Sequence, residues 1–204
     1  MSDIDGMPAA DQADVDLVVS AACAGSEGAF VVLFREIQPR LLGYLRTVCA
    51  GDAEDIAAET WVQAIGGLHN FSGGMRDFRA WIFTIAHARV VDRWRAKGRR
   101  REIVSAVVPE RASELDVAQE AEENFSTATA IALLRELPDA QSQVLLLRVV
   151  AGLDVQTTAA VLGRTPNHVR VLAHRGLRAL AVILERRDSQ KQEALLLHRS
   201  VGAR

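Results

Sequence analysis

The stretch DVQTTAAVLGRTPNHVRVLAHRGLRAL, Asp154 to Leu180, decides how the rest of the chain is read. Asp154 can cap a helix running through Ala159, Ala160, Val161 and Leu162, and Gly163 can end it, because glycine enters the left-handed region without steric cost. Thr165 is placed to cap the next helix, and Pro166 takes its first position, where a missing N–H costs nothing. Two helices joined by the short turn Gly163-Arg164-Thr165 form a helix-turn-helix. The spacing predicts that the second helix buries Val169, Leu172, Leu177 and Leu180, while small Ala159 and Ala160 let it cross the first closely. Its other face carries Asn167, His168, Arg170, His174, Arg175 and Arg178. Those side chains offer donors to base edges and cations to phosphates, as a recognition helix requires.

Helical periodicity extends upstream through TAIALLRELP and DAQSQVLLLRVVAG, so this domain is expected over residues 129–185, with a polar, then modestly amphipathic tail at 186–204. Between Glu102 and Glu123 stand seven acidic residues and a single basic one, Arg111, with Pro109 among them. Such a segment has too little apolar bulk for a core, and residues 99–128 read as an acidic, flexible linker.

A second helical domain precedes the linker, over residues 27–98. FVVLFREIQPRLLGYLRTV (30–48) has helical apolar spacing, with a kink or break expected at Pro39. DAED (52–55) supplies a start signal, Asp52 as cap and Asp55 three residues on, for a helix carrying Ile56, Trp61, Val62 and Ile65 up to Gly66-Gly67. LHNFSGGMRD (68–77) is rich in turn formers. A long helix follows with Phe78, Trp81, Ile82 and Ile85 on a core stripe. Further along it Arg89, Arg93, Lys97 and Arg100 recur on one face, and Trp94 lies among these cations. Residues 1–26 read as a mobile acidic leader. No strand-like alternation of any length occurs, so the fold class is all-α: two small helical domains and a tether.

The chain has 204 residues, 49% apolar and 25% charged, with a net charge of −2, which is globular composition. Cys23 and Cys49 belong to no Cys-x-x-Cys pair and read as reduced thiols. The five histidines form no His-x-x-x-His pair, and neither a phosphate loop nor a nucleophile elbow is present. The expectation is therefore no metal, no cofactor and no enzymatic activity. The N-terminus lacks the basic-then-apolar order of a signal peptide, and no apolar run approaches the roughly 18 residues of a membrane span, which points to a cytoplasmic chain without membrane insertion.

FVVLFREIQPRLLGYL, DAEDIAAETWVQAI, FRAWIFTIAHARVVDRWR and LRELPDAQSQVLLLRVVAGLDVQTTAAVLGRTPNHVRVLAHRGLRAL together resemble the extracytoplasmic-function (ECF, group IV) sigma factors of bacterial RNA polymerase, in the family's order and spacing. The resemblance implies a sigma-2 domain that binds polymerase core and melts the −10 promoter element, and a sigma-4 domain that reads the −35 element. It implies −35 contacts from Thr165, Asn167, His168, Arg170, Val171, His174, Arg175 and Arg178. It implies −10 contacts from Asn70, Phe71, His87, Arg89, Arg93, Trp94, Lys97 and Arg100, and polymerase contacts from Asp52, Asp55, Glu59 and Gln63. An anti-sigma partner is expected as well. Ala88 stands where family members often carry Asn, and Val171 and Leu172 where Ser and Arg are frequent, so base preferences do not transfer. The alternative reading is a stand-alone helix-turn-helix regulator, which would bind duplex DNA without polymerase and leaves the basic helix of the first domain without a use.

Overall fold

A computed structural model of the chain describes residues 9–103 and 132–201; the side chains of residues 9–13, 50, 97–103, 188 and 191–201 are outside that description. Every regular element among the described residues is helical. In chain order these are α1 (Ala9–Cys23), α2 (Glu27–Val48), a 3₁₀ turn (Ala50–Asp52), α3 (Ala53–Gly67), a 3₁₀ turn (Leu68–Asn70), α4 (Met75–Ile103), α5 (Asp139–Leu145), a π-helical turn (Leu146–Val150), α6 (Val155–Val161) and α7 (Pro166–Val201).

In the first domain α2, α3 and α4 form a bundle. Ser26 caps α2, its hydroxyl accepting from the Ala29 N–H at 3.3 Å, and the helix continues through Pro39 as one element rather than breaking there. Leu33, Ile37, Leu41, Tyr44 and Leu45 repeat at three- and four-residue intervals and bury one stripe against Ile56, Ala57 and Ala64 of α3 and Phe78, Ile82 and Phe83 of α4. Trp61 sinks between α2 and α3, its indole N–H donating to Gln38 at 2.6 Å and its ring meeting Phe30 and Phe34 at 5.8 and 5.0 Å. That hydrogen bond removes the desolvation cost of the one polar atom the ring carries inward.

Further features differ from the sequence expectations. Residues 9–23 are not part of a mobile leader: α1 packs on α2 with Val19 and Ala22 buried, an apolar stripe hidden in the sequence by the aspartates between its members. Leu177 is 56% exposed, and its neighbour Gly176 turns inward, where an added Cβ would lie 2.8 Å from Leu145 Cδ1. The α7 backbone runs on to Val201 instead of giving way to a tail at 186. The α4 backbone runs on to Ile103, into the first residues of the linker expected at 99–128, and the rest of that expected linker, from 104 on, lies outside the described residues.

The two domains also share a core. Leu145, Leu146, Leu147, Ala151, Leu153 and Val161 belong to the same buried cluster as Leu33, Leu41 and Phe78. Polar contacts frame the junction: Arg76 pairs with Asp154, Arg135 donates to the Arg46 carbonyl oxygen, and Arg79 lies 3.5 Å from Glu36 with Gly152 packed against it. No helix of the described residues is long and apolar enough to cross a membrane.

Candidate nucleic-acid interface

The helix-turn-helix forms as its local signals require. Asp154 caps α6 by accepting from the Thr157 N–H at 2.7 Å, Gly163 adopts φ +59° to end it, and the Thr165 hydroxyl accepts from the His168 N–H at 3.3 Å to start α7. Val169 and Leu172 anchor α7 against Val144 and Ala159, and Gly176 brings it close to α5. This rotation leaves Asn167, His168, Arg170, Val171, His174, Arg175 and Arg178 exposed on the outer face. They form a surface of donors and cations, with the 42%-exposed Val171 available for an apolar contact such as a thymine methyl. Thr165 is also exposed, but its hydroxyl is engaged as the cap.

On the first domain the sequence pointed to two separate surfaces, an acidic one on α3 and a basic one on α4, and the fold brings them together. Arg89 donates from Nε and Nη2 to Gln63 Oε1 at 3.2 and 2.9 Å and lies 3.8 Å from Glu59. Arg93 reaches Glu59 at 3.1 Å and Asp52 at 3.5 Å. Asp52 occupies the N-cap position of α3 without making the side-chain capping bond its position suggested; its carboxylate faces Arg93 instead. Asp55 stays exposed on the outer side of α3, and Trp94 is 41% exposed on α4. Lys97 and Arg100 fall on the last turns of α4, where side chains are outside the described residues.

The loop before α4 is ordered by aromatic packing. Phe71 stacks on Trp81 at 5.1 Å and meets Phe78 edge-on at 5.4 Å, so it supports the loop from within more than it projects from it. Asn70 is exposed, its Nδ2 2.8 Å from His69 Nε2. His87 is turned toward the domain interior, with Nδ1 2.9 Å from the Tyr44 hydroxyl, and burial holds its pKa below the ordinary imidazole value. It therefore sits behind the exposed face of α4 rather than on it.

Sequence reasoning missed Asp16, Arg76, Arg79 and Arg135. Each acts on a partner far along the chain, and no short-range pattern marks such a residue. Among the described residues no group of three or more His, Cys, Asp or Glu side chains could hold a metal ion.

Comparison with known proteins places the chain in a family. The family described as Sigma-70 region 2 matches residues 33–100, and the family described as Sigma-70, region 4 matches residues 129–180. The chain is similar to the ECF RNA polymerase sigma factor SigD of Mycobacterium tuberculosis, 35% identical over 173 residues that cover 81% of this chain and 82% of the relative. It is also similar to the ECF RNA polymerase sigma factor BldN of Streptomyces coelicolor, at 31% identity over 87% of this chain and 69% of the relative. Among solved structures, the sigma factor RpoE of Bartonella quintana, in complex with the anti-sigma factor NepR, superposes with a TM-score of 0.60 at 19% identity, over 76% of this chain and 96% of that one. At that identity the likeness speaks to the fold.

Proposed function

The chain belongs to the ECF RNA polymerase sigma factors of the sigma-70 family, and from that premise we propose how its surfaces divide the work of promoter-specific initiation. The outer face of α7 reads the −35 element in the major groove. The loop at 68–74 and the exposed side of α4, Trp94 included, meet the opened −10 element. The outer side of α3, with Asp55 at its start, docks on the polymerase core. The protein supplies binding energy and position, and the polymerase supplies the chemistry.

The observation that carries this reading is the fully capped helix-turn-helix with its row of exposed donors and cations, standing beside a bundle that pairs an acidic helix with a basic one. Phosphate neutralisation dominates the affinity of a protein that holds DNA alone, and a chain of net charge −2 is poorly equipped for that task. A subunit delivered by polymerase needs only local positive surface. An anti-sigma partner belongs to the proposal too: the RpoE of similar fold is bound to one, and the packed pair of domains offers a single binder access to both.

In vitro transcription tests the reading. Purified protein, sigma-free bacterial core polymerase and genomic fragments are combined, and new RNA 5′ ends are mapped. Discrete starts sharing a pair of upstream elements are the expected result. Absence of starts, with duplex binding by the protein alone, would overturn it in favour of a stand-alone regulator.

A further inference from the structure

We propose that Asp16, on the N-terminal helix, is a positioning residue for −10 recognition: it holds the 68–74 loop and the first turn of α4 in the conformation that receives the opened promoter strand. The proposal rests on the sigma-factor reading above and adds a residue outside both matched family regions, which begin at residue 33.

The first N–H groups of a helix have no partner within it and must find acceptors elsewhere. At the start of α4 two carboxylates divide them. Asp77, one turn into the helix, accepts from the Gly74 N–H at 3.2 Å. Asp16, fifty-nine residues away on α1, accepts from the Met75 N–H at 2.7 Å. Both negative charges sit at the positive end of the helix dipole, where they are favoured.

The adjacent glycines are explained by the same two carboxylates. A Cβ on Gly74 would lie 2.7 Å from the Asp16 carboxyl carbon, and one on Gly73, whose φ is +145°, would lie 2.8 Å from Asp77 Cβ. Each glycine admits one acid. The SGG turn, which the sequence marks only as loop, is thus shaped for the Asp16 side chain to come against the backbone.

Asp16 is firmly presented. Val19 and Ala22 on the same helix are buried in the bundle core, α1 packs on α2, on α4 and on the 3₁₀ turn at Leu68–Asn70, and the Ser20 hydroxyl donates to the Asp16 carbonyl oxygen at 3.1 Å. The loop it secures carries Asn70 and Phe71, and the helix it starts carries Trp81 beneath Phe71. Loss of the Asp16 acceptor leaves the Met75 N–H without that partner and releases the loop from α1, while the aromatic packing inside the bundle persists.

The test uses full-length chain assembled with core polymerase, on a promoter mapped by the transcription experiment. Melting at −10 is read by permanganate reactivity, and polymerase binding and −35 duplex binding are measured on the same preparations. Asp16→Ala should lower −10 melting about ten-fold, the size expected for losing one hydrogen bond to a charged group, with the other two readouts unchanged. Asp16→Asn keeps an acceptor oxygen and should recover most of the loss. Gly74→Ala should resemble Asp16→Ala, and the double variant should be no worse than either alone, since both remove the contact between Asp16 and the start of α4. Wild-type melting in Asp16→Ala overturns the proposal, as does a parallel fall in polymerase and −35 binding, which would assign α1 to general folding. Failure of the wild-type chain to direct any start is a different result and strikes the sigma-factor reading itself.

Discussion

The guanidinium of Arg93 on α4 lies 3.1 Å from the Glu59 carboxylate on α3, so a residue expected at DNA and a residue expected at polymerase are each other's partners in the free chain. Asp52 and Gln63 extend this ladder to 3.5 Å from Arg93 and 2.9 Å from Arg89. One consequence is that the cations of α4 are partly neutralised until something competes for α3. Glu59→Gln should therefore raise the affinity of the free protein for single-stranded DNA several-fold and steepen its salt dependence by about 0.7 in log–log slope, the increment for one more phosphate contact. Asp55→Asn removes the same charge from the outer side of α3 and serves as the control. Fluorescence anisotropy across a salt series decides it; equal effects of the two variants would show a general charge effect and no ladder.

The pairing of Arg76 with Asp154 and the shared leucine core hold the two domains together. Elements centred near −10 and −35 are about 25 base steps apart, roughly 85 Å at about 3.4 Å per step, which domains in contact cannot span. Spin labels at Ser72 and Gln190, both exposed, in a Cys23→Ser/Cys49→Ser background, should report a distance increase of tens of Å when polymerase and promoter are added. An unchanged distance would mean that the packed arrangement is also the working one.

Acid should weaken the first domain through His87. In the neutral ring Nδ1 can accept from the Tyr44 hydroxyl; a protonated ring would bring a second donor and a charge into a desolvated position. Its folded pKa lies below the unfolded value of 6.5, so as pH falls through that value the unfolded chain takes up the proton first. The unfolded state then binds more protons, and stability is lost on the acid side while nothing changes above about pH 7.5. Thermal unfolding should show a larger fall in Tm from about pH 7.5 to about 5.5 in the wild type than in His87→Gln.

Arg170→Ala and Arg175→Ala remove exposed cations from α7 and leave its anchors Val169 and Leu172 untouched. Each should weaken −35 duplex binding by about 1–3 kcal/mol, roughly five-fold to a hundred-fold, with core polymerase binding unaltered. Competition binding on both partners checks this; equal losses would place these arginines at the polymerase.

In the helix-turn-helix the residues that act within one turn of themselves were legible. Asp154, Gly163, Thr165 and Pro166 announce the helix-turn-helix because a cap reaches only two or three residues along the chain, and the structure contains the Asp154 and Thr165 capping bonds and the positive φ of Gly163. The basic face of α7 was legible for a similar reason, since helical periodicity alone groups its members. Leu177 shows the limit. Whether position 176 or 177 faces inward depends on where α5 lies, and a glycine there lets Leu145 come nearer than a leucine could.

The sequence by itself determined the helical class, the turn between α6 and α7, the basic outer face of α7 and the family resemblance, because these rest on local hydrogen bonding and on a period of 3.6 residues. Only the tertiary structure decided that α1 belongs to the first domain, that Asp16 serves the start of α4, that α3 and α4 neutralise one another, and that the two domains share a core. The physical reason is common to all four. A carboxylate or an apolar stripe has no assigned partner until chain segments distant in sequence are packed side by side, and the packing is chosen by the whole core rather than by any one residue.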